Sequence, residues 1–156
     1  MLATARRADL LDELARECGE RIEVMPGDIT DASHRQALAG RLASRGRLDV
    51  LVNNAGICDD GPIEEQSLEE FRQVIEVNLI SVLDMCRLSA PLLLAAPAAS
   101  VINVASMHGI VASRAPMAAY NATKAPWSTS PGSSPPSGAS AACGSTRWPP
   151  ATSRPS

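Results

Sequence analysis

Residues 100–124 read S-V-I-N-V-A-S-M-H-G-I-V-A-S-R-A-P-M-A-A-Y-N-A-T-K, and this stretch decides how the rest of the chain is read. Val101, Ile102 and Val104 are β-branched, which suits a buried, pleated strand. Ala105 and Ser106 fall where that strand runs out, and Gly109 and Pro116 punctuate the loop beyond it. Tyr120 then opens a helical run. Lys124 follows four residues later, about one turn on, so the two side chains share a face. A phenol, an ammonium and a hydroxyl thereby converge. An ammonium beside a phenol favours the phenolate, and a hydroxyl can hydrogen-bond a substrate oxygen. Together they are equipment for moving a proton to or from an alcohol or carbonyl oxygen. Spacing alone is a weak signal, because a tyrosine and a lysine one turn apart are usually two surface residues. Lys124, however, is the only lysine in 156 residues, against 13 arginines. Lysine and arginine are not interchangeable where a pKa must shift.

Outward from this stretch, strand-like and helix-like segments alternate. Residues 1–5 read as the end of a strand. A helix is expected from Ala8 to Cys18, with Leu10, Leu11 and Leu14 at helical spacing and Gly19 as its stop. Arg21 to Met25 reads as a short strand closed by Pro26 and Gly27, and Asp31 to Ser44 as a helix with Leu38 and Leu42 inward. Leu48 to Val52 is apolar apart from Asp49, the pattern of a parallel strand covered on both faces. Glu64 to Ala95 reads as helical in one or two pieces, with Pro91 near its end. The alternation predicts a parallel α/β sheet.

The length suits one domain. A net charge of −3 leaves no basic footprint for nucleic acid. The four cysteines, Cys18, Cys58, Cys86 and Cys143, are scattered and form no C-x-x-C. With only His34 and His108 besides, no metal-ligand spacing emerges. Reduced thiols and a cytoplasmic location are the plain expectation. The charged start of the chain does not read as a signal peptide. The most apolar stretch, around Leu88 to Ala99, is broken by Pro91 and Pro97 and reads as too short to span a bilayer, so no membrane partner is expected.

The order of motifs resembles the short-chain dehydrogenase/reductase family. The landmarks are Asp28-Ile29-Thr30, Asn53-Asn54-Ala55-Gly56, Asn78, Ser106 and the Tyr120-x-x-x-Lys124 pair. The resemblance covers about residues 1–125. It implies a Rossmann-like, doubly wound parallel sheet and an NAD(P)-dependent oxidoreductase acting on a small carbonyl or alcohol substrate. It makes Tyr120 the general acid/base, with Lys124 lowering its pKa and binding the nicotinamide ribose. Ser106 would polarise the substrate oxygen, and Asn78 would hold a relay water. Asp28 and Ile29 would lie against the adenine, and Asn54, Ala55 and Gly56 would form a cofactor-side loop. Without the resemblance, Asp28 reads equally well as a turn or cap residue, and Asn78 as a satisfied core amide. Arg6 and Arg7 end the strand whose last residue meets the adenosine ribose. An arginine there suits a 2′-phosphate, so NADP is favoured over NAD, with two solvated arginines the plain alternative. Intact relatives are expected to be homo-oligomers.

Two departures stand out. No T-G-x-x-x-G-x-G occurs in the chain, so the family's first strand and phosphate loop are expected to be missing. From residue 126 to 156 the chain is rich in proline and serine, so it is expected to be disordered rather than to continue the domain. Read one base out of frame, Cys143 to Ala151 becomes compatible with V-R-V-N-A-L-A-P-G, a family-like strand. A lost base near codons 125–126 is therefore expected, against a genuine Pro/Ser-rich tail. The competing functional class is an inactive remnant or non-catalytic subunit.

Overall fold

The computed structural model describes residues 1–59, 61–111, 117–128 and 143–148. Strands β1 (Leu2–Ala3) and β2 (Glu23–Val24) pair in parallel, with helix α1 (Ala8–Cys18) connecting them. Helix α1 spans the residues its leucine spacing predicts, and Leu11 is its buried contact. The strand expected over 21–25 is shorter, because Gly19–Arg21 winds into a 3₁₀ turn first. Helix α2 (Ala32–Ala43) starts at Asp31, whose carboxylate accepts from the Ser33 amide. This is an ordinary N-cap.

A second sheet holds β3 (Val50–Asn53), β4 (Ala99–Val104) and β5 (Cys143–Trp148), in that order. Strands β3 and β4 are parallel, with Leu51 opposite Val101 and Asn53 opposite Asn103. Strand β5 runs antiparallel along the other edge of β4. The sheet is therefore parallel with an antiparallel edge. Disorder from residue 126 onward does not hold for 126–128, which are helical, or for 143–148, which pair with β4. The rest of that stretch lies outside the described residues. Leu51 and Val101 pack with Leu93, Ala96 and Ala99 in one core cluster. The opposite face of β3 is open: Val50 and Val52 are 51% and 54% exposed, so the strand is not covered on both faces. Apolar content alone cannot show this, because cover comes from neighbouring elements.

Helices α3 (Leu68–Ile75) and α4 (Ser81–Leu94) form one continuous run through a π turn at Glu76–Ile80. The run starts at a capping box, in which Ser67 and Glu70 satisfy each other's backbone amides. This 27-residue helix is long and apolar enough to cross a membrane, contrary to the expectation from 88–99 alone. Its apolar side is used within the domain, where Val74, Val77, Val82, Met85 and Leu93 are buried. A π turn frees carbonyls from the regular ladder, and buried ones need partners. The Val77 carbonyl accepts from Ser81 Oγ at 2.6 Å, and the Asn78 carbonyl from the Trp127 indole at 3.0 Å.

One buried arginine ties the two halves together. Arg35 on α2 donates to Asp84 Oδ2 on α4 at 2.7 Å and to the Ile29 carbonyl at 2.7 Å. Glu76 lies 3.5 Å from the same guanidinium.

Candidate active site

Helix α5 (Ala118–Ser128) carries both Tyr120 and Lys124. It extends well past Lys124, not ending one turn after Tyr120. The helix lies against the 3₁₀ turn Met107–Gly109 that follows β4. Ser106 caps that turn and accepts from the His108 amide at 3.3 Å. The His108 ring meets Tyr120 edge-on, with centroids 6.3 Å apart. Lys124 is 5% exposed, and its Nζ lies 5.6 Å from the Tyr120 ring centroid. The ammonium donates to the Val104 carbonyl, at the end of β4, at 2.8 Å. Burial pushes the Lys124 pKa down.

Asn78 is 1% exposed. Its Oδ1 accepts from the Ile57 amide at 2.9 Å, and its Nδ2 donates to the Ile57 carbonyl at 2.8 Å and to Thr123 Oγ1 at 3.1 Å. It thus braces the loop after β3 and the helix between Tyr120 and Lys124. Gly56 passes close to both partners: a Cβ there would lie 3.5 Å from Asn78 Oδ1 and 3.5 Å from Lys124 Nζ. The backbone of the Asn54–Ala55–Gly56 segment is exposed beside them. Asn53, the last residue of β3, points into the sheet instead and donates to Asn103 Oδ1 at 2.8 Å.

Arg6, Arg7, Asp28 and Ile29 gather elsewhere, beyond the ends of β1 and β2. Both arginines are exposed. Asp28 Oδ1 accepts from the Thr30 amide at 2.9 Å and the Thr30 hydroxyl at 2.8 Å. Those bonds, aided by the Arg6 charge, hold its carboxyl below the usual range. The structure therefore presents two clusters. One combines acid/base side chains with an exposed glycine-bearing loop. The other combines a carboxylate with arginines. Each follows the carboxyl ends of parallel strands, where open α/β sheets bind ligands.

Three residues of this region escape a reading of the sequence. His108 sits in a loop whose conformation the sequence does not specify. Trp127 lies in the stretch taken for disordered tail, yet is buried beside Val82 and Ala105. Asp59 is buried and accepts from the amides of Ala119 and Tyr120 at 3.1 and 2.8 Å. Burial pushes its pKa up, but the Tyr120, Ala119 and Gln66 donors outweigh that and hold it low. In sequence, Asp59 shows only as an acidic residue near a glycine.

A family model described as short chain dehydrogenase matches residues 1–128. Galactitol 2-dehydrogenase of Rhizobium johnstonii is 36% identical over 122 residues, covering 76% of this chain and 48% of that protein. The structure of a short-chain dehydrogenase from Streptomyces avermitilis aligns with a TM-score of 0.73 and 37% identity, over 80% of this chain and 46% of its own. One described as an NAD(P)-dependent gluconate 5-dehydrogenase from Beutenbergia cavernae, with bound NADP, aligns at 0.72 and 35% identity, over 80% and 51%. The chain spans about half the length of these relatives.

Proposed function

Since the chain belongs to the short-chain dehydrogenase family, we propose that its α5 cluster serves reversible oxidoreduction of a small carbonyl or secondary alcohol with NAD(P)(H). The carrying observation is the buried ammonium of Lys124, the chain's only lysine, 5.6 Å from the ring of its only tyrosine. When bound, the nicotinamide would supply or accept the hydride. Tyr120 would give a proton to the carbonyl oxygen in reduction and take it back in oxidation. Lys124 would favour the phenolate and hold the nicotinamide ribose, and Ser106 would hydrogen-bond the substrate oxygen. Asn78 would hold a relay water from the π turn while bracing the loop.

The residues fit the nicotinamide end of such a cofactor, where Gly56 leaves room beside Lys124 and Asn78. Arg6, Arg7, Asp28 and Ile29 fit the adenosine end. The arginines favour NADP, as does the NADP named for the Beutenbergia relative. The chain's own sequence holds no T-G-x-x-x-G-x-G for the pyrophosphate. The second reading is a non-catalytic remnant or subunit of a homo-oligomeric relative.

Fluorescence titration with NADPH separates the two. Saturable binding, followed by turnover that Tyr120→Phe abolishes, supports the first reading. No binding to folded protein supports the second. We also propose that the coding frame shifts near codon 125. Sequencing the locus on both sides tests this, together with whether a glycine-rich phosphate loop is encoded upstream.

A further inference from the structure

We propose that Asp59 is the positioning residue for Tyr120, an inference that rests on Tyr120 being the acid/base of the site. Met117 precedes α5 and has no side-chain oxygen to cap it. Asp59 supplies the cap from 60 residues away in sequence. Its Oδ2 accepts from the Ala119 amide at 3.1 Å, and its Oδ1 from the Tyr120 amide at 2.8 Å. These are two of the first-turn donors that a helix leaves without internal partners, and a negative charge there also suits the helix dipole.

The carboxylate is itself held in place. Gln66 Nε2 donates to Asp59 Oδ2 at 2.9 Å and to the Gly61 carbonyl at 2.9 Å. Asp59 is only 8% exposed. Two residues earlier, Ile57 is gripped through both backbone groups by Asn78. The loop leaving Asn54–Gly56 is thus pinned twice, once to the π turn and once to the first turn of α5.

The two site residues on α5 depend on Asp59 unequally. Tyr120 lies in the first turn, where helices fray, and its own amide is one of the bonded donors. Lys124 lies a turn deeper and is anchored separately by the Val104 carbonyl. Loss of Asp59 therefore loosens the phenol and leaves the ammonium in place. Proton transfer suffers while cofactor contacts persist.

The test compares Asp59→Ala and Asp59→Asn with Asp31→Ala, which removes a cap of similar kind from α2, beside the Asp28 cluster rather than beside α5. Two readouts apply: amide exchange at Ala119 and Tyr120, and hydride-transfer kinetics with NADPH. In Asp59→Ala, amide protection at both positions should fall. The turnover number should drop roughly 10- to 100-fold, as for a misplaced reacting group, with the NADPH KM unchanged within about two-fold. Asp59→Asn keeps one acceptor and should be intermediate; it also serves if Asp59→Ala does not fold. Asp31→Ala should change neither the exchange at Ala119 and Tyr120 nor the turnover number. Unchanged Tyr120 protection or an unchanged turnover number in Asp59→Ala, or equal changes in Asp31→Ala, overturn the proposal. A parent chain without turnover overturns the oxidoreductase reading instead, and the exchange readout still decides the role of Asp59.

Discussion

The side-chain amide of Asn78 donates to Thr123 Oγ1 at 3.1 Å, and Thr123 in turn donates to the Tyr120 carbonyl at 2.9 Å. The π turn is thereby linked through two hydrogen bonds to the backbone of Tyr120, the proposed acid/base. Both Asn78 and Thr123 are 1% exposed, so water cannot replace a lost partner without rearrangement.

Asn78→Ala should destabilise the fold by about 2 kcal/mol, since it removes the partner of the partly buried Ile57 amide and carbonyl and of the buried Thr123 hydroxyl. Urea unfolding should show a lower midpoint at an unchanged slope. Asn78→Asp keeps the acceptor for Ile57 but loses the donor. It should therefore be no better than the alanine variant, because it also buries a charge.

Tyr120→Phe should lower hydride transfer by roughly 10²- to 10⁴-fold, the span usual for a lost general acid/base. Lys124→Met should lower it similarly and also weaken cofactor binding. Circular dichroism of both variants should match the parent.

Gly27 admits no side chain without a rearrangement, because a Cβ there would come within 2.2 Å of the His34 ring. The His34 ring also shares a 2.8 Å hydrogen bond with Thr4 Oγ1. Gly27→Ala should therefore cost about 1–3 kcal/mol, as overpacking does. Most of that loss should disappear when Gly27→Ala is combined with His34→Ala, a coupling that a double-mutant cycle measures.

The pH dependence has a definite sign on each side. Asp59 and Asp28 titrate lower in the fold than in the unfolded chain. Their stabilisation is complete above the unfolded aspartate value of about 3.9 and is lost as pH falls through their folded values. The stability gap between the parent and Asp59→Asn should therefore narrow on acidification. Lys124 titrates low because it is buried, so the fold binds fewer protons there than the unfolded chain. Stability from this residue should rise with pH up to the unfolded lysine value of about 10.4, a trend that Lys124→Met should remove.

Arg35→Met should cost about 2 kcal/mol, the scale of hydrogen bonds to charged groups. The larger figures for broken buried pairs do not apply, because Asp84 keeps Arg87 at 2.7 Å and Glu76 is partly exposed. The same change frees the Ile29 carbonyl, so hydrogen exchange around Asp28–Thr30 should speed up.

Local features were legible in the sequence wherever short-range physics governs them. Helix α1 follows its leucine spacing, and Tyr120 and Lys124 share a helix because four residues make a turn. Asn78, a poor helix former in an apolar run, stood out and is indeed a satisfied buried amide. What escaped is set by partners distant in sequence. Asp59 acquires its meaning from amides 60 and 61 residues away, and Trp127 from a carbonyl 49 away. Strand β5 escaped because small and polar residues can pair along an available edge even where they build no core. The open face of β3 escaped because an apolar strand reads alike whether or not it is covered.

The π turn has a consequence for how this chain tolerates change. A π segment accommodates one residue more than regular winding requires. Deleting a single residue between Glu76 and Ile80 would let the whole run from Leu68 to Leu94 wind as a regular α-helix. Secondary structure would survive such a loss. The two flanking helices would keep the relative orientation they have now, because the π turn absorbs its extra residue within one widened turn. The change would fall on the turn itself, where the Val77 and Asn78 carbonyls now accept from Ser81 Oγ and the Trp127 indole. The looser winding thus serves the local carbonyl partners rather than the alignment of the two helices.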